Sequence, residues 1–265
     1  MKPSLIINGA AGRMGKRILA LAHEDAFFSV VSALEHPKHP DLGKDAGVLA
    51  GIEALNVKLS SEFPKKGDVM IDFSLPEAAN ATIGHCADHA IALVLGTTGL
   101  TPAQFDLLGQ AAKKIAIVQS TNMSPGMNLL FALVGKVAQS LGPEYDIEIV
   151  EAHHRFKKDA PSGSALSLAQ SICKETGRTC PDDLTYGRQG KEALRKKGEI
   201  GIHAVRAGDI IGQHTVLYST LGETITLAHN AHSRDILARG ALRAAQWVVS
   251  QKPGLYTMQD VLGFA

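Results

Sequence analysis

The sequence predicts an α/β protein, made of a doubly wound parallel-sheet domain and an α+β domain with a mixed sheet. In roughly the first 120 residues, short apolar runs alternate with segments of helical periodicity, which is typical of a parallel sheet covered by helices. Farther along, between residues 146 and 228, apolar and polar residues alternate in four strand-like runs. These two patterns predict a separate second sheet.

Composition narrows the class of protein. Of the 265 residues, 45% are hydrophobic and 20% charged, enough apolar side chain for a full core. A formal net charge of +1 argues against nucleic acid as a partner. The early apolar run Leu5-Ile6-Ile7 is too short for a signal peptide or a membrane span. We therefore expect a cytoplasmic protein with no membrane partner.

The cysteines form neither a zinc pattern nor a disulfide framework. Cys86, Cys173 and Cys180 are widely spaced and odd in number. Reduced thiols are therefore expected.

A glycine-rich turn follows the first predicted strand, Ser4 to Asn8. The spacing from Gly9 to Gly15 is G-x-x-G-x-x-G, and a helical segment with Ile18 and Leu19 comes next. In a dinucleotide fingerprint the first glycine permits the tight turn, the second lets the backbone approach a pyrophosphate, and the third packs the helix on the strand. The turn therefore predicts a Rossmann-like domain, with cofactor contacts from Gly9, Ala10, Ala11, Gly12, Arg13 and Met14.

The choice of coenzyme depends on the end of the second predicted strand, Val30 to Leu34. Glu35 follows it directly, and a carboxylate at this position accepts hydrogen bonds from ribose hydroxyls and repels a 2′-phosphate. His36 and Lys38 come next and could partly serve a 2′-phosphate. The sequence therefore leaves NADH and NADPH open, and we predict that NADH is used at least as well.

Two further strand ends carry small and polar residues. The predicted strand Ala92 to Leu95 runs into Gly96, Thr97 and Thr98, and the strand Ile115 to Gln119 runs into Ser120, Thr121, Asn122 and Met123. In doubly wound sheets, ligands bind beyond the carboxyl ends of the strands. We expect both segments to contact the cofactor.

The second domain is predicted to begin with a helix from Pro125 to about Leu141. A later helix, Arg234 to Ser250 with Ser233 as its cap, is expected to return to the first domain. This gives a dinucleotide-binding domain of residues 1–124 and 234–265, and a substrate-binding and tetramerisation domain of residues 125–233. Residues 39–63 are expected to be a loosely ordered connection, and residues 175–197 to be irregular.

A cationic loop joins the strand of residues 146–152 to the next helix. His153, His154, Lys157 and Lys158 precede Pro161-Ser162-Gly163-Ser164, where the helical periodicity begins. A helix N-terminus beside cationic side chains is suited to a carboxylate or phosphate ligand. The alternative is a solvated loop with ordinary serine capping.

These motifs together resemble one family, the 4-hydroxy-tetrahydrodipicolinate reductases, also called dihydrodipicolinate reductases. The matching segments run in family order across nearly the whole chain: G-A-A-G-R-M-G at 9–15, Glu35, D-F-S at 72–74, G-T-T-G at 96–99, N-M-S at 122–124, E-A-H-H-R-F-K-K-D-A-P-S-G-S-A at 151–165 and R-A-G-D-I-I-G-Q-H at 206–214. The chain departs from the family pattern at His36, where some members have arginine, at Ser164, a frequent threonine, and at Met123, where many have phenylalanine.

The resemblance implies an NADH- or NADPH-dependent reduction of a small cyclic imine that bears two carboxylates. By that likeness His153 is the proton donor or acceptor and Lys157 is a proton donor. The likeness assigns His154, Gly163 and Ser164 to substrate binding, and Arg234 to the second carboxylate. It also implies a cofactor contact from His36, and a homotetramer formed through the second sheet.

Three other functions fit the sequence less well. A metal-dependent hydrolase would use the histidines, but H-E-x-x-H or similar spacing is missing from the sequence, and no metal site is expected. A serine hydrolase would need a G-x-S-x-G elbow, which the sequence also lacks. A dinucleotide-sensing protein would keep Gly9 to Gly15 but would have no use for the loop from His153 to Lys157.

Overall fold

The computed structural model describes residues 2–264 and divides into two units. Unit 1 contains the chain up to Pro125 and again from Asp235 onward, and unit 2 is Gly126–Arg234. Across the described residues, no helix combines the length and apolar character that a membrane crossing requires.

Unit 1 is a parallel sheet with helices on both faces. Its elements in chain order are β1 (Ser4–Asn8), α1 (Arg13–Asp25), β2 (Ser29–Leu34), α2 (Ala46–Ala50), β3 (Leu59–Ser60), β4 (Val69–Asp72), a 3₁₀ turn (Pro76–Ala78), α3 (Ala79–Asp88), β5 (Ala92–Leu95), α4 (Pro102–Ala111), β6 (Ala116–Gln119), α7 (Asp235–Val248), β12 (Gly254–Tyr256) and α8 (Met258–Leu262). The strand order is β12-β6-β5-β4-β1-β2-β3, and every pair is parallel.

Alternate residues of the central strands bury into two apolar layers. In β1, Leu5 and Ile7 enter the layer that includes residues of α1 and α7, whereas Ile6 enters the layer of α3 and α4. All three are 0% exposed. Burial on both faces explains why these strands read as continuous apolar runs.

The strand order reverses beside β1. From β1 the chain proceeds outward to β2 and β3 on one side, and β4, β5 and β6 lie on the other. The carboxyl ends of β1 and β4 therefore form the topological switch point, where doubly wound sheets bind their ligands.

Unit 2 contains a mixed five-stranded sheet. Its elements are α5 (Pro125–Leu141), which begins one residue before the unit, β7 (Asp146–His153), α6 (Gly163–Thr176), β8 (Leu184–Tyr186), β9 (Ile200–Arg206), β10 (Gly212–Thr220) and β11 (Glu223–Ala231). The order is β11-β10-β7-β9-β8, in which β10 is antiparallel to both neighbours and β7, β9 and β8 are parallel. With the parallel sheet of unit 1, this confirms the predicted fold class.

One face of the second sheet is covered by helices. Ile147 and Ile149 of β7 pack into the same core as residues of α5 and α6. The opposite face carries the alternate residues, among them Val205 at 44% exposure.

Short elements of regular structure occur in residues 39–63, expected to be loosely ordered, and in residues 175–197, expected to be irregular. Residues 39–63 include α2, whose N-cap Asp45 accepts hydrogen bonds from the main-chain N–H groups of Gly47 and Val48, and also β3. Residues 175–197 are irregular as expected, apart from the end of α6 and the edge strand β8. The expectation for residues 39–63 was wrong, because elements of two to five residues are too short to produce a periodic pattern.

The cysteine expectation was also wrong for one pair. Cys173 and Cys180 form a disulfide, and Cys86 is a buried free thiol. Helix α6 ends at Gly177, whose φ of +69° turns the chain back and brings Cys180 to Cys173. Spacing along the sequence did not reveal this turn.

Candidate active site

The glycine-rich turn of unit 1 leaves no room for a side chain at Gly9 or Gly15. Gly9 has a φ of +75°, and a Cβ on it would lie 2.7 Å from the main-chain oxygen of Phe73. A Cβ on Gly15 would lie 2.1 Å from the main-chain oxygen of Gly9. Gly12 is the N-cap of α1 and makes no side-chain cap. The turn therefore exposes main chain to a ligand at the start of a helix.

Glu35 connects this turn to the end of β2. Its carboxylate accepts hydrogen bonds from the main-chain N–H groups of Ala11 at 3.1 Å and His36 at 3.0 Å. Ala10 is 1% exposed, and its N–H donates to the main-chain oxygen of Leu34 at 2.9 Å. The predicted cofactor residues from 9 to 12 and at 35 and 36 thus lie together at the switch point.

A cavity of about 420 Å³ opens at this edge. Its lining includes Gly9, Gly12, Glu35, His36 and Phe73. An apolar cleft with a carboxylate at its end and bare main chain along one side fits the adenosine half of a dinucleotide. The side chain of Arg13 is exposed, and that of Met14 is partly buried against the core.

The other two predicted segments follow β5 and β6 at the same sheet edge. Gly96 is needed because a Cβ there would lie 2.5 Å from the ring of Phe73. Thr97 is buried, and Thr98 is exposed. After β6, Ser120 Oγ donates to the main-chain oxygen of Asn122 at 2.8 Å, which holds a tight turn.

Within that turn, Thr121 is exposed and Asn122 is partly buried. Met123 differs from its neighbours because it is 1% exposed and packs in the hydrophobic core of unit 1. In this position the Met123 side chain is a core residue.

Unit 2 builds its candidate site around a buried carboxylate, Glu151 of β7. The side chain of Glu151 is 0% exposed. Its Oε2 accepts from Nδ1 of His153 at 2.6 Å and from Nη1 of Arg206 at 2.9 Å, while Oε1 accepts from Nη2 of Arg206 at 2.8 Å and from the main-chain N–H of Ser162 at 3.0 Å. Burial alone would raise the pKa of Glu151, but these donors outweigh it and lower that pKa.

His153 is the last residue of β7 and therefore lies on the sheet rather than in the following loop. Its side chain is 12% exposed. Because an ionised Glu151 can only accept, Nδ1 of His153 carries a proton, and Nε2 is the nitrogen available for proton exchange. Burial lowers the pKa of His153, against the raising effect of Glu151, and Lys157 and Arg206 lower it further.

The predicted loop after His153 is pinned to the segment that follows β9. The main-chain N–H of Ala207 donates to the oxygen of His153, and that of Arg155 donates to the oxygen of Gly208. Nζ of Lys157 donates to Asp159 at 2.9 Å, and its side chain is 21% exposed. These contacts hold the loop in place, although Arg155, Phe156 and Lys158 are exposed.

The first turn of α6 completes the unit 2 site. Ser162 is the N-cap, and its Oγ accepts from the main-chain N–H of Ala165 at 3.2 Å. The same Oγ shares a hydrogen bond of 3.2 Å with Nε2 of His214, a residue that is 4% exposed. Gly163 and Ser164 are the first two residues of the helix.

Two residues predicted to bind substrate, His154 and Arg234, are less buried than Glu151 and His214. His154 is partly buried, with its ring 6.3 Å from that of Phe156. Arg234 is exposed and is the last residue of unit 2.

Three residues that organise this site were not among the predicted site residues. Glu151, Arg206 and His214 all lie inside the quoted motifs at 151–165 and 206–214. Glutamate two residues before a histidine is a usable signal, because side chains at i and i+2 share one face of a strand. The partner of His214 depends on the pairing of β10 with β7, which no spacing reveals.

A second ion cluster lies on the opposite face of β7 and serves as a reference. Glu148 accepts from Arg188 at 2.8 Å and from His203 at 2.6 Å, and it also contacts Arg195. These donors outweigh burial and lower the pKa of Glu148. Among residues 2–264, no group of three or more His, Cys, Asp or Glu side chains is arranged to hold a metal.

Comparison with known families assigns the chain. Residues 3–123 match the family described as Dihydrodipicolinate reductase, N-terminus, and residues 126–262 match Dihydrodipicolinate reductase, C-terminus. The chain belongs to the dihydrodipicolinate reductase family. The resemblance seen in the sequence is thereby confirmed.

Curated relatives of this family cover nearly the full chain. Proteins named 4-hydroxy-tetrahydrodipicolinate reductase from Syntrophus aciditrophicus (strain SB) and Geobacter metallireducens are each 45% identical over 262 residues, which is 98% of both chains in each comparison. The chain is therefore a reductase of the diaminopimelate route of lysine biosynthesis, with a pyridine-nucleotide-binding Rossmann domain.

Solved structures share the fold. A dipicolinate-bound dihydrodipicolinate reductase from Paenisporosarcina sp. TG-14 has a TM-score of 0.77 at 24% identity, covering 98% of this chain and 99% of that one. An amine dehydrogenase from Mycobacterium smegmatis has a TM-score of 0.61 at 14% identity, covering 97% and 95%. The same fold thus also occurs in a protein named an amine dehydrogenase.

Proposed function

We propose that the chain reduces 4-hydroxy-tetrahydrodipicolinate to tetrahydrodipicolinate with NADH or NADPH and loss of water. The observation that carries this proposal is His153, held by Glu151 at 2.6 Å beside the first turn of α6. Together with Lys157, that group provides a proton-exchanging imidazole, a cation and a helix N-terminus for a dicarboxylate.

The coenzyme is proposed to bind unit 1. Gly9 to Met14 would hold the pyrophosphate, Glu35 and His36 the adenosine ribose, and residues 96–98 and 120–123 the rest of the nucleotide. Because the Glu35 carboxylate repels a 2′-phosphate, we expect NADH to be used at least as well as NADPH. The nucleotide supplies hydride chemistry when bound, and the protein contributes placement and charge.

The dicarboxylate is proposed to bind unit 2. Gly163 and Ser164 would meet one carboxylate through the first turn of α6, with His154 beside it and Arg234 for the second carboxylate. The amino end of a helix carries a partial positive charge, which favours an anion there.

The proton steps are assigned to His153 and Lys157. The 4-hydroxyl group would leave as water together with a proton from the adjacent ring carbon, the bound nucleotide would supply hydride to ring carbon 4, and a proton would be returned to the ring. His153 exchanges that proton through Nε2, because Nδ1 donates to Glu151. The ammonium of Lys157 stabilises the developing enamine and acts as a proton donor.

A homotetramer in the cytoplasm is proposed as the working form. Support comes from the helix-free face of the second sheet, where Val205 is 44% exposed. Partly apolar sheet faces favour association with another copy. Light scattering that found only monomers at micromolar concentration would reject the tetramer.

The decisive experiment supplies the substrate through its upstream synthase and follows NAD(P)H absorbance at about 340 nm. Each coenzyme is tested separately, and omission of the synthase is the control. We expect substrate-dependent loss of absorbance with both. A protein that bound the nucleotide but never oxidised it would be a nucleotide-binding protein, contrary to the proposal.

A further inference from the structure

Glu151 has a set of partners that a simple ion pair does not require. Both of its oxygens accept two hydrogen bonds, from His153, from both terminal nitrogens of Arg206 and from the main chain of Ser162. The donors belong to the end of β7, the end of β9 and the N-cap of α6. One buried carboxylate therefore joins the imidazole to the start of the anion-binding helix.

The Glu151 contact fixes the imidazole in one orientation. Nδ1 of His153 is committed to the carboxylate, so the ring cannot flip without losing a charge-assisted hydrogen bond. On the other side of the ring, a Cβ at Gly212 would lie 3.2 Å from Nε2. Glycine at this position leaves the Nε2 side free of a neighbouring side chain.

We propose that Glu151 is the positioning residue of the reaction, holding His153 in the tautomer and orientation that present Nε2 to the substrate. This inference rests on the proposed function, since it assumes that His153 exchanges a proton. Arg206 neutralises Glu151, which allows the carboxylate to stay ionised without exposure to water.

The charges that face His153 determine what a substitution does. Glu151 contacts its Nδ1, Lys157 and Arg206 bring positive charge, and the ring of His214 lies 5.2 Å away in a T-shaped arrangement. Of these, only Glu151 raises the pKa of His153. Replacing it with a neutral residue therefore lowers that pKa and removes the carboxylate that binds Arg206.

The test compares Glu151→Gln with Glu148→Gln. Both glutamates lie on β7 and both bind arginine and histidine, but Glu148 lies on the opposite face and pairs with His203 instead of His153. The variants thus lose similar ion pairs at different distances from His153. Two quantities are measured: the pH profile of kcat, and the pKa of His153 from ¹³C-labelled imidazole resonances, assigned with His153→Gln.

For Glu151→Gln we expect kcat to fall roughly 10- to 100-fold, less than when a histidine takes the wrong tautomer, because the amide oxygen can still accept from Nδ1. We expect the pKa of His153 to fall by about one pH unit or more. The alkaline limb of the pH profile of kcat should move to lower pH with it. The KM for the nucleotide should stay unchanged. Glu148→Gln should leave the titration and the limb where they are.

An unchanged His153 titration in Glu151→Gln, or an equal displacement in Glu148→Gln, would overturn the proposal. If Glu151→Gln does not fold, Glu151→Asp keeps the charge and withdraws the carboxylate by about 1.5 Å. We then expect kcat to fall while the titration stays near that of the wild type, and an unaltered kcat would count against positioning. The resonance measurement needs no turnover, so failure of the proposed reaction and failure of this assignment give different results.

Discussion

The two candidate binding regions are built from different parts of the chain. In unit 1 the switch-point edge is formed largely by main chain around Gly9, Gly12 and Gly15, with the Glu35 carboxylate beside it. In unit 2 the site is a network of ionised side chains around a fully buried Glu151. A main-chain site is sensitive to added bulk, whereas a side-chain site is sensitive to lost charge and to pH.

The largest expected effect lies in unit 2. His153→Ala should lower kcat roughly 100- to 10,000-fold, the usual contribution of a general acid or base, while nucleotide affinity is retained. Steady-state kinetics and a nucleotide titration measure the two quantities. Near-normal turnover in this variant would show that unit 2 does not supply the proton through His153.

The stability of the protein at acid pH should depend on His214, a buried imidazole of unit 2. Burial, and then the charge of His153, lower the pKa of His214 to about 4, below its ordinary value of 6.5. Below pH 6.5 the imidazole of His214 binds a proton in the unfolded chain but stays neutral in the folded state. The free energy of unfolding therefore falls as pH falls, by about 1.4 kcal/mol per pH unit.

Between about pH 7 and about pH 4.5, wild-type protein should lose about 2–3 kcal/mol more unfolding free energy than His214→Gln. Urea unfolding followed by circular dichroism gives both values. Equal acid losses in the two proteins would mean that His214 is protonated in the folded state.

The disulfide of unit 2 gives the next prediction, because it joins helix α6, which begins at the unit 2 site, to the segment after that helix. The Cys173–Cys180 bond closes a loop of eight residues, so replacing both cysteines with serine should cost about 2.5 kcal/mol of stability in the chain-entropy account. Alkylation of unfolded, unreduced protein should label only Cys86. Labelling of all three cysteines would contradict the disulfide.

The smallest expected effect tests the main-chain site. Gly15→Ala places a Cβ 2.1 Å from the oxygen of Gly9, and we expect about 1–3 kcal/mol of destabilisation together with weaker NADH binding. Gly84→Ala is the matched control in α3, where nothing lies within 4 Å of the added carbon. The control should gain up to about 1 kcal/mol, since alanine favours a helix. Unchanged NADH binding by Gly15→Ala would contradict the role of the turn.

These differences also explain what the sequence could predict. The unit 1 edge could be predicted from the sequence, because a turn that excludes Cβ atoms requires glycine at fixed spacing, and because Glu35 directly follows its strand. In unit 2 the cationic loop could be predicted from the sequence, but the distant side chains that complete its hydrogen-bond network could not. Arg206 reaches Glu151, the partner of His153, and His214 reaches Ser162, in both cases across strand pairings that local periodicity does not encode. For Met123 the motif position predicts a nucleotide contact, whereas the burial of its side chain in the core was not predicted.

The crowding of partners on Glu151 has a consequence for inhibitor design. A compound that binds Nε2 of His153 relies on an imidazole whose support is shared with Ser162 and Arg206. Substitutions at Glu151 that evade such a compound would also disturb the helix that receives the dicarboxylate. We expect drug-resistant variants to arise at the rim of the unit 2 site, at exposed positions such as Phe156, and rarely at its buried carboxylate.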